Sequence, residues 1–128
     1  MKIHGIGTDL IEIDRIASSI RHHGDAFLGK IFTDHERKDC AMHADPAPHY
    51  AARFAAKEAV AKALGTGIGS RCGWLDVEVV RSDSGAPQIR LYADAMNFAQ
   101  SMRIHVVHVS LSHTRALATA HAVAICDD

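Results

Sequence analysis

The amino-acid sequence predicts an α+β fold in which a mainly antiparallel sheet packs against one long helix. Three observations carry that prediction. Helical spacing and helix-boundary residues fill the first half as far as Leu64. Period-two alternation of apolar residues dominates the second half. The segment Ser82-Asp83-Ser84-Gly85-Ala86-Pro87 is turn chemistry, and it joins two alternating segments into a hairpin.

The elements follow in order. Residues 2–8 read as a short strand. Ile13, Ile16 and Ile20 recur at helical spacing, so a helix is expected directly after Asp9. Thr33 followed by Glu36 forms a capping box and opens a second helix that runs to about Met42. Asp45-Pro46-Ala47-Pro48 breaks and restarts the chain, since proline is tolerated in a first helical turn. The third helix reaches Leu64, where the glycine-rich run Gly65–Gly69 ends it. Leu75, Val77 and Val79 alternate with Asp76 and Glu78 as a half-buried strand, and Ile89 and Leu91 make the return strand. Residues 93–102 read as a short helix and residues 106–111 as an apolar strand. Leu117, Thr119, His121, Val123 and Ile125 then alternate with Ala118, Ala120, Ala122 and Ala124. Alanine favours helix, but the β-branched alternation decides for a strand with one bulky and one small face. The small face is compatible with close packing of subunits.

Composition bounds the function. A chain of 128 residues is one domain by size, residues 1–128. Its 48% hydrophobic content is enough for a core without disulfides or a structural metal. A net charge of −1 carries no nucleic-acid footprint, so any charge recognition is local. The three cysteines form no C-x-x-C pair, which disfavours a thiolate zinc site and suits a reducing, cytosolic setting. The N-terminal run is interrupted by glycines and Asp9, so it is not a secretory segment, and no apolar stretch spans a bilayer. Neither a nucleic-acid nor a membrane partner is expected.

The chemistry concentrates in Arg53-Phe54-Ala55-Ala56-Lys57-Glu58-Ala59-Val60-Ala61-Lys62. At about 100° per residue, Phe54, Val60, Ala61 and Leu64 share an apolar stripe, and Lys57 falls inside it. A lysine there needs an anion or a route to water. Glu58 and Lys62 stand beside the stripe, one turn apart. Seven alanines between Ala51 and Ala63 permit close packing around these charges. The Gly65–Gly69 exit lets backbone approach a ligand. Asp9 is a second isolated acid, at the end of a short apolar run. Two lone carboxylates among fixed cations suit a hard divalent ion holding a phosphate ester, because Mg²⁺ takes one or two carboxylates plus water and substrate phosphate.

Ten histidines raise the possibility of zinc, yet no H-E-x-x-H pair occurs. His22, His23, His35, His43 and His49 read as solvated or loop residues. His113 stands apart at a strand end beside Thr114 and Arg115, equally suited to a phosphate contact or to a satisfied edge position. The Gly65–Gly69 run follows a helix and lacks dinucleotide spacing, no P-loop occurs, and no G-x-S-x-G marks a nucleophilic serine.

Four blocks resemble one known family. They are Gly5-Ile6-Gly7-Thr8-Asp9-Leu10-Ile11-Glu12-Ile13-Asp14-Arg15-Ile16, Phe32-Thr33 with Glu36, Arg53 through Gly69, and His108-Val109-Ser110-Leu111-Ser112-His113-Thr114. Gly85-Ala86-Pro87 fits the family's G-x-P turn. The chain thus resembles the short bacterial type of 4′-phosphopantetheinyl transferase, the holo-[acyl-carrier-protein] synthases. The resemblance implies that fold, transfer of the phosphopantetheine arm of coenzyme A to a serine of apo-acyl carrier protein, a role in fatty acid biosynthesis, dependence on Mg²⁺, and a homotrimer with active sites at subunit interfaces. It implies Asp9 and Glu58 as metal ligands and Lys62 beside the pyrophosphate, these three being the catalytic residues. It further implies Arg53 and His113 on nucleotide phosphates, Gly65, Gly85 and Pro87 near the nucleotide, and Arg15 and Arg21 on the carrier protein. The serine proton then falls to Glu58 acting through a water, or to Lys62.

Overall fold

The computed structural model describes all 128 residues, Met1–Asp128. In it the first strand, β1 (Lys2–Glu12), lies directly on the backbone of the longest helix, α4 (Ala47–Leu64, 18 residues). Gly5 and Gly7 make this approach possible. A Cβ on Gly7 would sit 2.8 Å from the Ala59 carbonyl carbon and 2.9 Å from the Ala63 nitrogen, and nearer still to the Ala59 oxygen. One on Gly5 would press on the Ala63 carbonyl. Strand alternation then carries Asp9, two residues beyond Gly7, onto the same helix-facing side.

Between β1 and α4 the chain forms α1 (Ile13–His23), α2 (Asp25–Ile31) and α3 (Asp34–Ala41). After α4 come a 3₁₀ turn (Trp74–Asp76), the hairpin β2 (Val77–Arg81) and β3 (Pro87–Leu91), α5 (Ala93–Ser101), β4 (Ile104–His113) and β5 (Leu117–Cys126). Strands β1, β5 and β4 form an antiparallel sheet in that order, and β2 pairs antiparallel with β3. The fold is therefore α+β with antiparallel sheets, as the sequence predicts.

Four expectations are corrected. The first strand does not stop at Thr8. Asp9, Leu10, Ile11 and Glu12 stay paired with Ala120, Thr119, Ala118 and Leu117, the Thr119 hydroxyl donates to the Asp9 carbonyl at 2.8 Å, and the helix begins only at Ile13. Helix α2 lies where no element is expected. Strand β2 begins at Val77, and Val77 through Val80 are all buried rather than alternately exposed. The alanine face of β5 packs inward, where Ala118, Ala120, Ala122 and Ala124 join the α4 alanines in one core.

The capping box at Thr33 forms as read, with the Thr33 nitrogen donating to Glu36 at 2.9 Å and the Glu36 nitrogen to the Thr33 hydroxyl at 3.2 Å. It also solves the Lys57 problem. Lys57 and Glu36 are both fully buried, with Nζ 2.7 Å from Oε1. Nζ donates further to the carbonyls of Trp74 (2.9 Å) and Val77 (2.5 Å), and Glu36 accepts from the Val79 nitrogen at 2.8 Å. All three ammonium protons are thus used. The anion that Lys57 requires is internal, so this cation belongs to the core and not to a ligand site. Burial still holds the Lys57 ammonium below its ordinary value, against the opposing pull of Glu36.

Candidate active site

Helix α4 presents two charged groupings on different sides. Residues five apart lie about 140° apart around a helix, so Arg53 and Glu58 cannot share a face. Residues four apart do share one, which pairs His49 with Arg53 and Glu58 with Lys62.

The first grouping lies across the β1–α4 contact. The Lys62 ammonium donates to the Thr8 carbonyl at 2.9 Å and faces the Asp9 carboxylate at 3.5 Å. Lys62 therefore turns to the strand and makes no ion pair with Glu58 along the helix. Both contacts use donor protons and suit an ammonium. Asp9 and Glu58 converge closely enough to feel one another. Burial first, and then the Asp9 charge, hold the Glu58 carboxyl above its ordinary value, while Lys62 pulls it down. Two repelling carboxylates beside an exposed lysine form an oxygen-only donor set that a hard divalent cation would neutralise. No group of three or more His, Cys, Asp or Glu side chains forms a preformed cage. Asp9 and Glu58 are the two oxygen-donor side chains that could hold a hard cation such as Mg²⁺, an ion that commonly takes only one or two carboxylates.

The second grouping lines a cleft of about 140 Å³ between α4, the end of β2, the start of β3 and the end of β4. Arg53, Arg81, His49, His113, Ser112 and Pro87 line it, and no carboxylate does. Arg53 is 1% exposed. One of its terminal nitrogens donates to the His49 carbonyl at 3.2 Å and the other lies 3.8 Å from Asp39 on α3, but Nε has no hydrogen-bond partner. Arg81 donates to the Gly85 carbonyl at 2.9 Å, which ties the hairpin turn to the cleft. Arg81, His113 and His49, from β2, β4 and α4, thus gather around Arg53 in this cleft.

The remaining positions are dispersed. Gly65 caps α4 with φ of 90°, a left-handed conformation suited to glycine, and is exposed outside both groupings. Arg15 and Arg21 are exposed on α1. Arg81 and His49 escaped the sequence reading. Period-two alternation would have put Arg81 on the face of Val77 and Val79, and the i, i+4 spacing would have put His49 beside Arg53. His49 is not the solvated or loop residue expected, since it lies on α4, half-buried, stacked on His43 with ring centroids 3.4 Å apart and edge-on to His113 at 5.9 Å.

Comparison with known proteins bears on the family of the chain. Residues 5–126 match the 4′-phosphopantetheinyl transferase superfamily. The chain is 47% identical to the holo-[acyl-carrier-protein] synthase of Chlamydia pneumoniae over 98% of this chain and 99% of that protein. It is 50% identical to that of Chlamydia trachomatis over 94% and 98%. Among solved structures, the Neisseria meningitidis synthase superposes with a TM-score of 0.90 at 32% identity, covering 97% and 99% of the two chains. The Helicobacter pylori synthase, solved in complex with coenzyme A, superposes with a TM-score of 0.84 at 31% identity, covering 94% and 99%. With nearly the whole chain matched in sequence and in fold, the protein belongs to the 4′-phosphopantetheinyl transferase superfamily, among the transferases called holo-[acyl-carrier-protein] synthases.

Proposed function

We propose that the chain, acting as one catalytic domain, transfers 4′-phosphopantetheine from coenzyme A to a serine of apo-acyl carrier protein and releases adenosine 3′,5′-bisphosphate. The observation that carries this reading is the apposition of Asp9, Glu58 and Lys62 across the β1–α4 contact. In the reaction a bond forms between the serine oxygen and the phosphorus that bears pantetheine. The bond from that phosphorus to the bridging oxygen breaks, and the nucleotide leaves as a phosphate monoester. Such a step needs positioning and neutralised charge more than covalent help from the protein.

Asp9 and Glu58 would hold Mg²⁺, which would supply charge neutralisation and polarisation of the pyrophosphate. Lys62 adds a cation beside the leaving oxygen. Glu58 takes the serine proton through a water. With no cation bound, burial and the adjacent Asp9 hold its carboxyl above the ordinary value. Arg53, His113 and the Gly85–Pro87 turn receive the nucleotide end of coenzyme A, with Gly65 near the same ligand. Arg15 and Arg21 on α1 meet the carrier protein.

The two groupings lie on different sides of α4, with Arg53 and Glu58 about 140° apart around an ideal helix. We infer that they complete one another between copies in a homotrimer. The outer face of β1 supports this assembly, because Ile6 is 70% and Leu10 64% exposed there, beside Val123 of β5. The same reading implies a cytoplasmic enzyme that serves fatty acid synthesis. No helix is long and apolar enough to cross a membrane.

Incubation with coenzyme A, Mg²⁺ and apo-carrier, followed by mass spectrometry, tests the reading. Phosphopantetheine added to the carrier serine is the expected product. Free phosphopantetheine would mark the chain as a hydrolase instead, and binding without product would mark it as a non-catalytic coenzyme-binding protein.

A further inference from the structure

The cationic cleft contains one group that the transfer reaction does not use. His49 lies one helical turn before Arg53, and its ring borders the cavity that Arg53, Arg81, Ser112 and His113 share. The charges that act on it come from groups that are cationic or become so on protonation. His43 stacks on it from the α3–α4 connection, Arg53 stands on its own helix, Arg81 comes from β2 and His113 from β4. The one acid nearby, Asp39 of α3, lies against the far nitrogen of Arg53. The near-parallel stack on His43, with rings 14° apart, fixes the plane of the His49 imidazole at the cleft wall. Arg53, which shares the cavity lining, keeps its buried Nε without a hydrogen-bond partner.

We propose that His49 is a phosphomonoester-recognising residue of this cleft, one that takes up a proton as the phosphate enters. The inference rests on the coenzyme A reading above, in which the only phosphomonoester offered is the one on the ribose. Burial and then the charges of His43, Arg53, His113 and Arg81 hold the His49 imidazole below its ordinary value, so it is neutral in the free protein near neutral pH. A dianion placed among the same groups reverses the sign of the local field and favours imidazolium. Binding and protonation are then linked, and the residue becomes a charge-assisted donor only when its ligand is present. Discrimination against a ligand lacking that phosphate follows, because the cleft's cations would be left facing one another.

The test follows the His49 ring resonance against pH in the full protein, alone and with coenzyme A or dephospho-coenzyme A, which lacks the ribose phosphate. Calorimetry of both ligands is run on the protein and on His49→Gln. Coenzyme A is expected to raise the His49 titration midpoint by about one unit, and dephospho-coenzyme A to leave it in place. His49→Gln is expected to weaken coenzyme A binding roughly tenfold at pH 6 and twofold or less at pH 8. A preference for coenzyme A with an unmoved His49 resonance overturns this inference alone. Equal binding of the two ligands likewise overturns this inference, whereas binding of neither overturns the coenzyme A reading beneath it. The resonance measurement needs no variant, so a poorly folded His49→Gln does not shelter the proposal.

Discussion

Substituting Gly7 by alanine tests how the β1–α4 contact builds the candidate site. The added Cβ would meet only backbone, at 2.8 Å from the Ala59 carbonyl carbon and 2.9 Å from the Ala63 nitrogen. No rotamer change relieves such a clash. Ordinary contact begins at 3.4 Å, so strand and helix must separate by at least 0.6 Å, and by more to clear the Ala59 oxygen. Overpacking of this kind costs about 1–3 kcal/mol. Asp9 rides on the strand and Glu58 on the helix, so the retreat also pulls the two carboxylates apart. A misplacement near 1 Å at reacting groups costs on the order of a hundredfold. Gly7→Ala is therefore expected to lose about 1–3 kcal/mol in urea unfolding and roughly 10- to 100-fold in kcat for carrier modification at saturating coenzyme A. Gly5→Ala, which strains the helix farther along the strand from Asp9, should lose comparable stability and less activity. Wild-type stability and turnover in Gly7→Ala would refute the reasoning, because the carboxylates would then not depend on backbone contact for their spacing.

Three further outcomes follow from the same geometry. Lys57→Met strands the fully buried Glu36 carboxylate and two carbonyls, so thermal and chemical unfolding should report a loss of about 3–5 kcal/mol; a loss under 1 kcal/mol would contradict the internal pairing. Burial pushes the Glu78 carboxyl up, but hydrogen bonds from Thr33 and Tyr92, with the charges of His35 and Arg90, more than offset this and leave it below its ordinary 4.5. Its contribution is thus fully present above pH 4.5 and lost as pH falls through the folded value; Tyr92→Phe should weaken the protein by about 1 kcal/mol near neutrality and flatten that acid loss, and an unchanged pH profile would deny the bond. Co-refolding Arg53→Gln with Glu58→Gln chains should restore about a quarter of the sites if each is shared between neighbours in a ring, whereas no recovery would confine the site to one chain.

Much of this was legible in the sequence because the signals were local. The capping box at Thr33 and Glu36, the proline restart and the Gly65 stop each depend on a few adjacent residues, and all three appear where expected. The strand assignment of β5 rested on β-branched alternation, which won over alanine's helix preference because the small face had α4 to pack against. What escaped was long-range. Lys57 was recognisable as a cation needing an anion, but its partner lies on another helix, and no spacing rule links them. Helix α2 has seven residues with Gly29 inside, too short for periodicity to emerge. The extension of β1 through Glu12 depends on pairing with β5 at the other end of the chain. Gly5 and Gly7 read only as interruptions of an apolar run, yet with Asp9 they form a G-x-G-x-D pattern whose sense emerges once Ala59 and Ala63 stand opposite. His49 was missed because its neighbours in space come from the α3–α4 connection, β2 and β4.

The central claim is that Glu58, held beside Asp9 and Lys62, moves the serine proton during transfer from coenzyme A. Following the rate of holo-carrier formation against pH for the protein and for Glu58→Gln, with coenzyme A affinity measured in parallel, tests it most directly. A fall in rate of about 10²–10⁴-fold and loss of the acid limb are the predicted results. A Glu58→Gln enzyme with the original rate and the original acid limb would contradict the account.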